Sequence, residues 1–230
     1  RTYASKEHAD YIAESAKSFR PDILTRKDLL DYPVFLDFAT HPDIVRAVVR
    51  YLGTMPVIGD VKLWWTKKNQ SIQQSQLFHR DQEDYRSVKL FLSITPVEDE
   101  NGPLTFLPAP MSETISRSTG SSDQKISDQQ FNEICSDDNL LALTGPAGTL
   151  GMVDTTRCYH MGSRTRRGNR VVLMIHYVPF DCVLEPICRA LIDIRQSNFP
   201  GHDFPTYFDQ LVLASDEFEE VWRKPASTWA

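Results

Sequence analysis

The sequence predicts a mainly β protein, an antiparallel sandwich or barrel, with α-helices packed on its outside. From residue 60 onward, short segments rich in Val, Ile, Leu, Phe, Trp and Thr are separated by Gly, Pro, Asn and Asp, as in antiparallel sheets. The first fifty residues instead carry apolar residues at helical spacing. The chain has 230 residues, 41% hydrophobic and 24% charged, so we expect one globular domain spanning 1–230.

Residues 1–58 are predicted to form flanking helices. The segment 6–18, "KEHADYIAESAKS", has Ala and Ile at helical spacing. The segment 40–53, "THPDIVRAVVRYLG", starts with a capping pair, has Pro42 in its first turn and ends at Gly53.

Residues 59–180 are predicted to form the β core. Its strand-like segments are "DVKLWWTKK", "SQLFH", "SVKLFLSITPV", "PLTFLP", "GTLGMVD" and "NRVVLMIHYVP". The stretch 110–146 is rich in Ser and Asp and contains one short helix, predicted from the capping-box spacing of Ser127 and Gln130. We interpret this stretch as an insertion between strands, and 181–230 as a helical tail.

Composition excludes several classes of protein. The net charge is −6 and the basic residues are scattered, so a nucleic-acid surface is disfavoured, apart from one cluster: Arg164, Arg166, Arg167 and Arg170. No apolar run approaches the roughly 18 residues of a membrane helix. Four cysteines without a CxxC pair indicate a reducing, cytoplasmic compartment; Cys182 and Cys188 could form a bridge, but free thiols are favoured. The sequence carries no signal for oligomeric state.

The segment "LFHRDQED" places two metal-ligating residue types two positions apart. If it is a strand, His79 and Asp81 project to one face while Phe78 and Arg80 project to the other. A histidine and a carboxylate one pleat apart can bind a single cation. A lone pair of this kind is more often a hydrogen-bonded pair at a strand end, so a third ligand decides the interpretation.

The six histidines offer one good candidate for that ligand. His8 and His41 lie on predicted helices, and His202 lies in the tail. His176 falls inside "RVVLMIHYV", where a neutral, satisfied core or strand-face histidine is expected. His160 follows an apolar strand that ends in a turn, so it is predicted to be the third ligand.

Two histidines and one carboxylate form the facial triad of non-haem Fe(II) oxygenases, which leaves positions for a cosubstrate and dioxygen. The same donor set also serves catalytic zinc. Ten residues after His160, Arg170 offers a forked, permanently charged group that can bind a carboxylate. Alone it could be a solvated strand start, but with the triad it favours an anchor for the distal carboxylate of 2-oxoglutarate.

Two long segments resemble the phytanoyl-CoA dioxygenase family of 2-oxoglutarate-dependent oxygenases over roughly residues 60 to 180. They are "FHRDQEDYRSVKLFLSITPVEDENGPLTFLPAP" and "GTLGMVDTTRCYHMGSRTRRGNRVVLMIHYVP". The shared features are the HxD motif, the "NGPLTFLP" hairpin, the G-x5-D-x5-H approach to the second histidine and the arginine ten residues later. The resemblance implies a double-stranded β-helix, that is, a jelly-roll, cupin-like barrel.

By position, the resemblance implies that His79, Asp81 and His160 hold Fe(II) and that Arg170 holds 2-oxoglutarate. The reaction would then use O2, release succinate and CO2, and hydroxylate an unactivated C–H bond of a small organic or acyl substrate. "PAPMSE" stands where the family usually has "PGSH", which puts the usual substrate contacts there in doubt. The presence of Asp81 disfavours a halogenase, because those relatives have a small residue there.

Other positions have weaker signals. Lys89 and Phe91 alternate on the strand after HxD and are predicted to line the cosubstrate pocket, although a solvated lysine is as good a reading. One of Trp64 and Trp65 must point inward, most simply into the core. Three arginines near His160 could meet an anionic substrate, but a solvated basic loop is favoured: Arg157, Arg164 and Arg166.

Three alternatives stay open at this point. A cupin-type metal-dependent hydrolase or isomerase would need no keto acid. A catalytically inactive barrel could serve as a binding module. A protein hydroxylase would need a groove in place of a closed pocket for small molecules.

Overall fold

The protein, described as a computed structural model, consists of two antiparallel sheets with helices packed beside them. The structure describes residues 19–69, 72–82, 84–120, 125–179 and 182. Its helices are α1 (Arg26–Asp31), α2 (Val34–Ala39), α3 (Pro42–Leu52), α4 (Ala109–Thr119) and α5 (Asp128–Ile134). Its strands are β1 (Pro56–Lys67), β2 (Val88–Ser93), β3 (Thr105–Phe106), β4 (Leu141–Ala142), β5 (Leu150–Val153), β6 (His160–Met161) and β7 (Asn169–Pro179). The predicted helix 6–18 and nearly all of the predicted tail lie outside the described residues.

The larger sheet has the order β1-β7-β2-β5. Its long strands β1 and β7 pair over almost their whole lengths, from Pro56 opposite Pro179 to Lys67 opposite Asn169. Because side chains alternate across a strand, each long strand places one set of alternate side chains on the outer face of the sheet and the other set on the inner face. The two faces have different chemistry.

The outer face of this sheet packs against α1, α2 and α3. The predicted helix 40–53 is confirmed: His41 caps it, Pro42 is its first residue, and Gly53 ends it with φ of 76°. Its apolar side meets residues of β2 and β7 in one core cluster, which includes Val45, Val48, Leu90, Leu173 and Ile175. Burial of these apolar side chains is what holds the helices to the sheet.

The inner face carries both polar and apolar side chains. Cross-strand pairing sets Asp60 of β1, His176 of β7 and Lys89 of β2 in one row. The β1 register shifts between Ile58 and Asp60, and beyond that irregularity alternate residues of β1 face inward. The other inward residues that line a cavity are Lys62, Trp64, Phe91, Arg170, Val172 and Met174.

The smaller sheet, β4-β3-β6, joins the predicted insertion to the core. β3 pairs with β4 on one side and with β6 on the other. The last part of the stretch 110–146 is therefore paired with the core. The helix predicted from Ser127 and Gln130 is confirmed as α5 with both capping-box hydrogen bonds, but a second helix, α4, was not predicted.

The predicted strand "SQLFH" is wrong. Residues Gln74–Gln76 form a short 3-10 helix, and Phe78 and His79 make only isolated bridges, to Ile126 and His160 respectively. The pleat of a regular strand is therefore not what brings His79 and Asp81 together. Within the described residues no helix is long and apolar enough to cross a membrane.

Candidate metal centre

A reciprocal backbone pair places two histidines side by side. The amide of His79 donates to the carbonyl of His160 at 3.0 Å, and the amide of His160 donates back at 2.8 Å. Their ring centroids lie 4.3 Å apart. The two segments are distant in the chain, so this pairing depends on the fold and not on local sequence.

Both imidazoles are oriented by backbone carbonyls. The Nδ1 atom of His79 lies 2.8 Å from the carbonyl of Leu77, and that of His160 lies 3.0 Å from the carbonyl of Cys158. In a neutral imidazole, Nδ1–H can donate only if the other nitrogen carries the lone pair, so Nε2 is left as the ligand atom. Burial lowers the pKa of His160 to about 4, so it is neutral near pH 7.

Asp81 completes the group. Its amide donates to the carbonyl of Thr155 at 2.9 Å, and its two oxygens each lie 3.6 Å from one of the two Nε2 atoms. One ligand atom from each of His79, Asp81 and His160 lies within 4.8 Å of the others. Two imidazole nitrogens and one carboxylate oxygen at this spacing suit a divalent transition metal with open coordination positions.

Lys89 pairs with the same carboxylate. Its ammonium lies 2.5 Å from Asp81 Oδ2, and the lysine is 9% exposed. Burial alone raises the pKa of Asp81, but the Lys89 ammonium and the two imidazoles outweigh burial and hold that pKa well below its usual range. Lys89 therefore lies in the pocket and not on a solvated face, and Phe91 lines the same wall.

Arg170 is buried in the pocket, and no acidic side chain in the described part of the chain pairs with it. Its Nη2 donates to Ser163 Oγ at 3.1 Å, its Nε lies 3.4 Å from Thr66 Oγ1, and among the described residues it makes no ion pair. Burial and the nearby charge of Arg20 lower the pKa of Arg170 to about 9. A buried guanidinium that contacts only hydroxyl groups is a ready binding site for an anion.

These groups share one cavity of about 560 Å³. Arg170 and His176 both face it from β7, six residues and roughly 20 Å apart along the strand. The cavity thus extends from the guanidinium, past the triad, to a second polar region. A volume of this size suits a small molecule.

Several cavity residues were missed by sequence reasoning. His176 was expected to be a satisfied histidine; instead it is 3% exposed, lines the cavity, and its Nε2 has no hydrogen-bond partner in the described part of the chain. Period-two alternation from Arg170 would have placed it on the inward face. The other polar residues that were missed are Arg20, Asp22, Asp60, Lys62, Ser75, Thr155 and Ser163.

The three arginines near His160 have different surroundings. Arg164 donates through both terminal nitrogens to Asp128 at 2.7 Å, so the predicted solvated loop does not describe it. Arg166 is exposed, and Arg157 is half-buried. Trp64 lines the cavity, whereas Trp65 does not. Cys182 is half-buried, and its possible partner Cys188 lies outside the described residues.

Comparison with known proteins gives structural neighbours only. No family model matches the chain, and no curated protein is similar to it. Similar solved structures include EctD from S. alaskensis with bound Fe, which is 17% identical, with a TM-score of 0.50 and coverage of 78% of this chain and 67% of that one. This likeness supports the observed fold: mainly β, with antiparallel sheets and flanking helices.

Two further neighbours have lower structural scores. The epimerase SnoN, solved with Fe3+, alpha ketoglutarate and nogalamycin RO, is 15% identical with a TM-score of 0.47, covering 79% of this chain and 75% of that one. The non-heme monooxygenase ThoJ is 16% identical with a TM-score of 0.45 and 66% coverage of this chain. The match spans 59% of the ThoJ chain.

Proposed function

We propose that this protein is a non-haem Fe(II)- and 2-oxoglutarate-dependent oxygenase of the phytanoyl-CoA dioxygenase family, built on a double-stranded β-helix. The reaction proposed is hydroxylation of an unactivated C–H bond of a small molecule. The observation that carries the proposal is the pairing, in one cavity, of a buried His-Asp-His group with a buried arginine that has no acidic partner among the described residues.

In this proposal His79, Asp81 and His160 are the iron ligands. The donor set fits: both Nε2 atoms are freed as ligands by the carbonyl contacts at Nδ1, and the carboxylate is held in its charged form. Lys89 holds the Asp81 oxygen that it contacts and so orients the carboxylate. The similar structure of EctD, which has bound Fe, is consistent with this assignment.

Arg170 is assigned to the distal carboxylate of 2-oxoglutarate. The guanidinium is fixed by Ser163 and by the neighbouring Thr66 hydroxyl, so little side-chain freedom would be lost on binding. Phe91 and Val172 provide apolar walls between this end and the triad. When bound, iron and 2-oxoglutarate would supply an oxidant, with O2 consumed and succinate and CO2 released.

The test is anaerobic addition of Fe(II) and then 2-oxoglutarate to the metal-free protein, followed by the visible charge-transfer band of an iron-bound keto acid. We expect the band in the wild type and its loss in His160→Ala. Arg170→Ala should need at least about 10-fold more 2-oxoglutarate, because a charge-assisted pair is removed. Exposed Arg166→Ala, four residues earlier and just before β7, is the matched control and should behave as the wild type.

A wild-type protein that binds metal tightly but shows no band would contradict the oxygenase proposal. That result would favour a metal-dependent hydrolase or a catalytically inactive binding module. Succinate formation that is unaffected by His160→Ala would contradict the ligand assignment in particular.

A further inference from the structure

The cavity concentrates polar atoms that lack partners. Within the described residues, five buried side-chain polar atoms make no hydrogen bond, and four of them belong to residues that line this cavity. The four are Arg20 Nε, Ser75 Oγ, Thr155 Oγ1 and His176 Nε2. Unpaired buried polar groups are costly and rare in folded proteins, so their concentration in one cavity indicates a polar ligand.

Arg20 is the charged member of this group. The carbonyl of Pro21 accepts a hydrogen bond from the amide of Trp65 at 3.0 Å, and Asp22 forms an isolated β-bridge with Trp64. The segment that carries Arg20 therefore runs along the edge of β1. The guanidinium of Arg20 lies over the Trp64 ring, 3.4 Å from its centroid. Stacking on an aromatic ring leaves the edge of the guanidinium, with its N–H donors, free to bind a planar anion.

The carboxylates around the cavity already have other partners. Asp81 pairs with Lys89, and Asp60 pairs with Lys62 at 3.0 Å. Asp22 accepts from the backbone amides of Leu24 and Leu63 at 3.2 and 3.1 Å. Among the described residues, Arg20 therefore has no ion pair, as is also true of Arg170.

Two guanidiniums thus share one cavity. Burial lowers the pKa of Arg20 to about 10, and the charge of Arg20 is one reason why the pKa of Arg170 is lowered. Like charges in a cavity repel, and bound anions relieve that repulsion. The charges of Asp81 and Asp22 raise the pKa of Arg20 in part, but among the described residues neither carboxylate forms an ion pair with it. If 2-oxoglutarate occupies Arg170, Arg20 is still left without a directly bound anion.

We propose that Arg20, stacked on Trp64, binds a carboxylate of the primary substrate, which is accordingly a small polar acid. The substrate assignment rests on the proposed oxygenase function. His176, Thr155 and Ser75 then hydrogen-bond to the polar groups of that acid. This substrate class narrows the small organic or acyl substrate that the family resemblance implied.

The test uses protein loaded with Mn(II), in which a molecule that binds near the metal shows broadened proton NMR signals. The probes are acids paired with their own amides: lactate, benzoate, nicotinate and gluconate, against lactamide, benzamide, nicotinamide and gluconamide. Each is titrated with and without saturating 2-oxoglutarate. Wild-type protein should bind at least one acid about 10-fold more tightly than its amide.

Arg20→Gln should remove the preference for the acid, Arg20→Lys should retain part of it, and exposed Arg166→Gln should leave it unchanged. The 2-oxoglutarate affinity of Arg20→Gln should stay within about 2-fold of the wild type, and an unchanged near-ultraviolet circular dichroism spectrum would show that the variant is folded. Arg170→Gln should instead keep the preference for the acid and lose 2-oxoglutarate affinity.

Three results would overturn the inference: no acid preferred over its amide, an acid preference that survives Arg20→Gln, or a loss of 2-oxoglutarate affinity in that variant as large as in Arg170→Gln. The third result would show that Arg20 binds 2-oxoglutarate and not the primary substrate. If 2-oxoglutarate does not bind at all while the Arg20-dependent preference for acids remains, the oxygenase proposal fails and the carboxylate site stands.

Discussion

Two buried histidines in the same cavity have different surroundings. His160 donates to a backbone carbonyl through Nδ1 and faces the Asp81 carboxylate. His176 has an Nε2 without a partner in the described part of the chain, and it lies in the field of two lysines, Lys89 and Lys62. Burial is the main reason that the pKa of His176 falls to about 3, and the two ammonium groups lower it further.

His176→Gln should make stability less dependent on pH. The folded protein keeps His176 neutral down to about pH 3, whereas the unfolded chain takes up a proton near pH 6.5. Its contribution to stability is therefore fully present above pH 6.5 and is lost as pH falls toward 3, by at most about 1.4 kcal/mol per pH unit. Urea unfolding of metal-free protein at pH 7.5, 6 and 5 measures the free energy of unfolding of both proteins at each pH.

In that experiment the wild-type free energy of unfolding should fall faster than that of the variant, and the gap should widen below pH 6.5. Parallel curves for the two proteins would show that His176 is not held neutral by the fold. Because His160 is retained in both proteins, its own titration cancels in the comparison.

Arg164 ties the helix α5 to the segment that precedes His79. Both terminal nitrogens of Arg164 donate to Asp128, the first residue of α5, and its Nε donates to the carbonyl of Gln76 at 2.6 Å. The Arg164 side chain is 17% exposed. A bidentate guanidinium–carboxylate pair of this kind fixes both distance and orientation.

Arg164→Lys and Arg164→Ala should loosen α5 without destroying the metal centre. A lysine cannot make the paired contact, so both variants should lose about 1 kcal/mol of stability. Amide hydrogen exchange should rise in residues 125–135, and Mn(II) affinity should stay within about 3-fold of the wild type. Unchanged exchange in that segment would show that the pair does not tether α5, and Arg117→Ala, an exposed arginine of α4, is the control.

Helices with local signals could be predicted from the sequence, and those held by distant contacts could not. Capping residues and apolar spacing predicted α3, and the capping box predicted α5. The sequence of α4, "APMSETISRST", is rich in Ser and Thr and has no side-chain cap. It is held by Ile115 in the core and by Ser112, whose hydroxyl accepts from the amide of Tyr159 at 2.8 Å.

The same distinction applies to the candidate site. The HxD motif, His160 and Arg170 could be predicted because metal binding and carboxylate binding need particular side chains at recognisable spacings. Arg20 and Asp60 were missed because nothing near them in the sequence shows that they face the same cavity. Their position depends on pairing along β1, and on the irregularity between Ile58 and Asp60.

For the molecule as a whole, the triad joins segments that otherwise meet through few backbone bonds. His79 and Asp81 come from an irregular stretch, whereas His160 belongs to the smaller sheet. An ion held by all three would link the stretch to the sheet in the folded state only. Metal binding should therefore stabilise the entire domain.

Addition of Mn(II) at about 100 times its dissociation constant should stabilise the protein by about 2.7 kcal/mol. For a chain of this length that is a rise in Tm of roughly 5 to 10 °C. Differential scanning calorimetry before and after chelation measures the change. His160→Ala should show almost no rise, and an equal rise in that variant would locate the ion elsewhere.

The reciprocal amide–carbonyl pair between His79 and His160 affects which changes in chain length the protein tolerates. The distance between the two imidazoles depends on where the segments meet and not on the length of the chain that connects them. Residues inserted at exposed turns of that connection should leave the imidazoles in place. Deletion of one residue next to either histidine would turn a side chain to the opposite face. Loop grafting could therefore change what enters the cavity while retaining the metal-binding geometry.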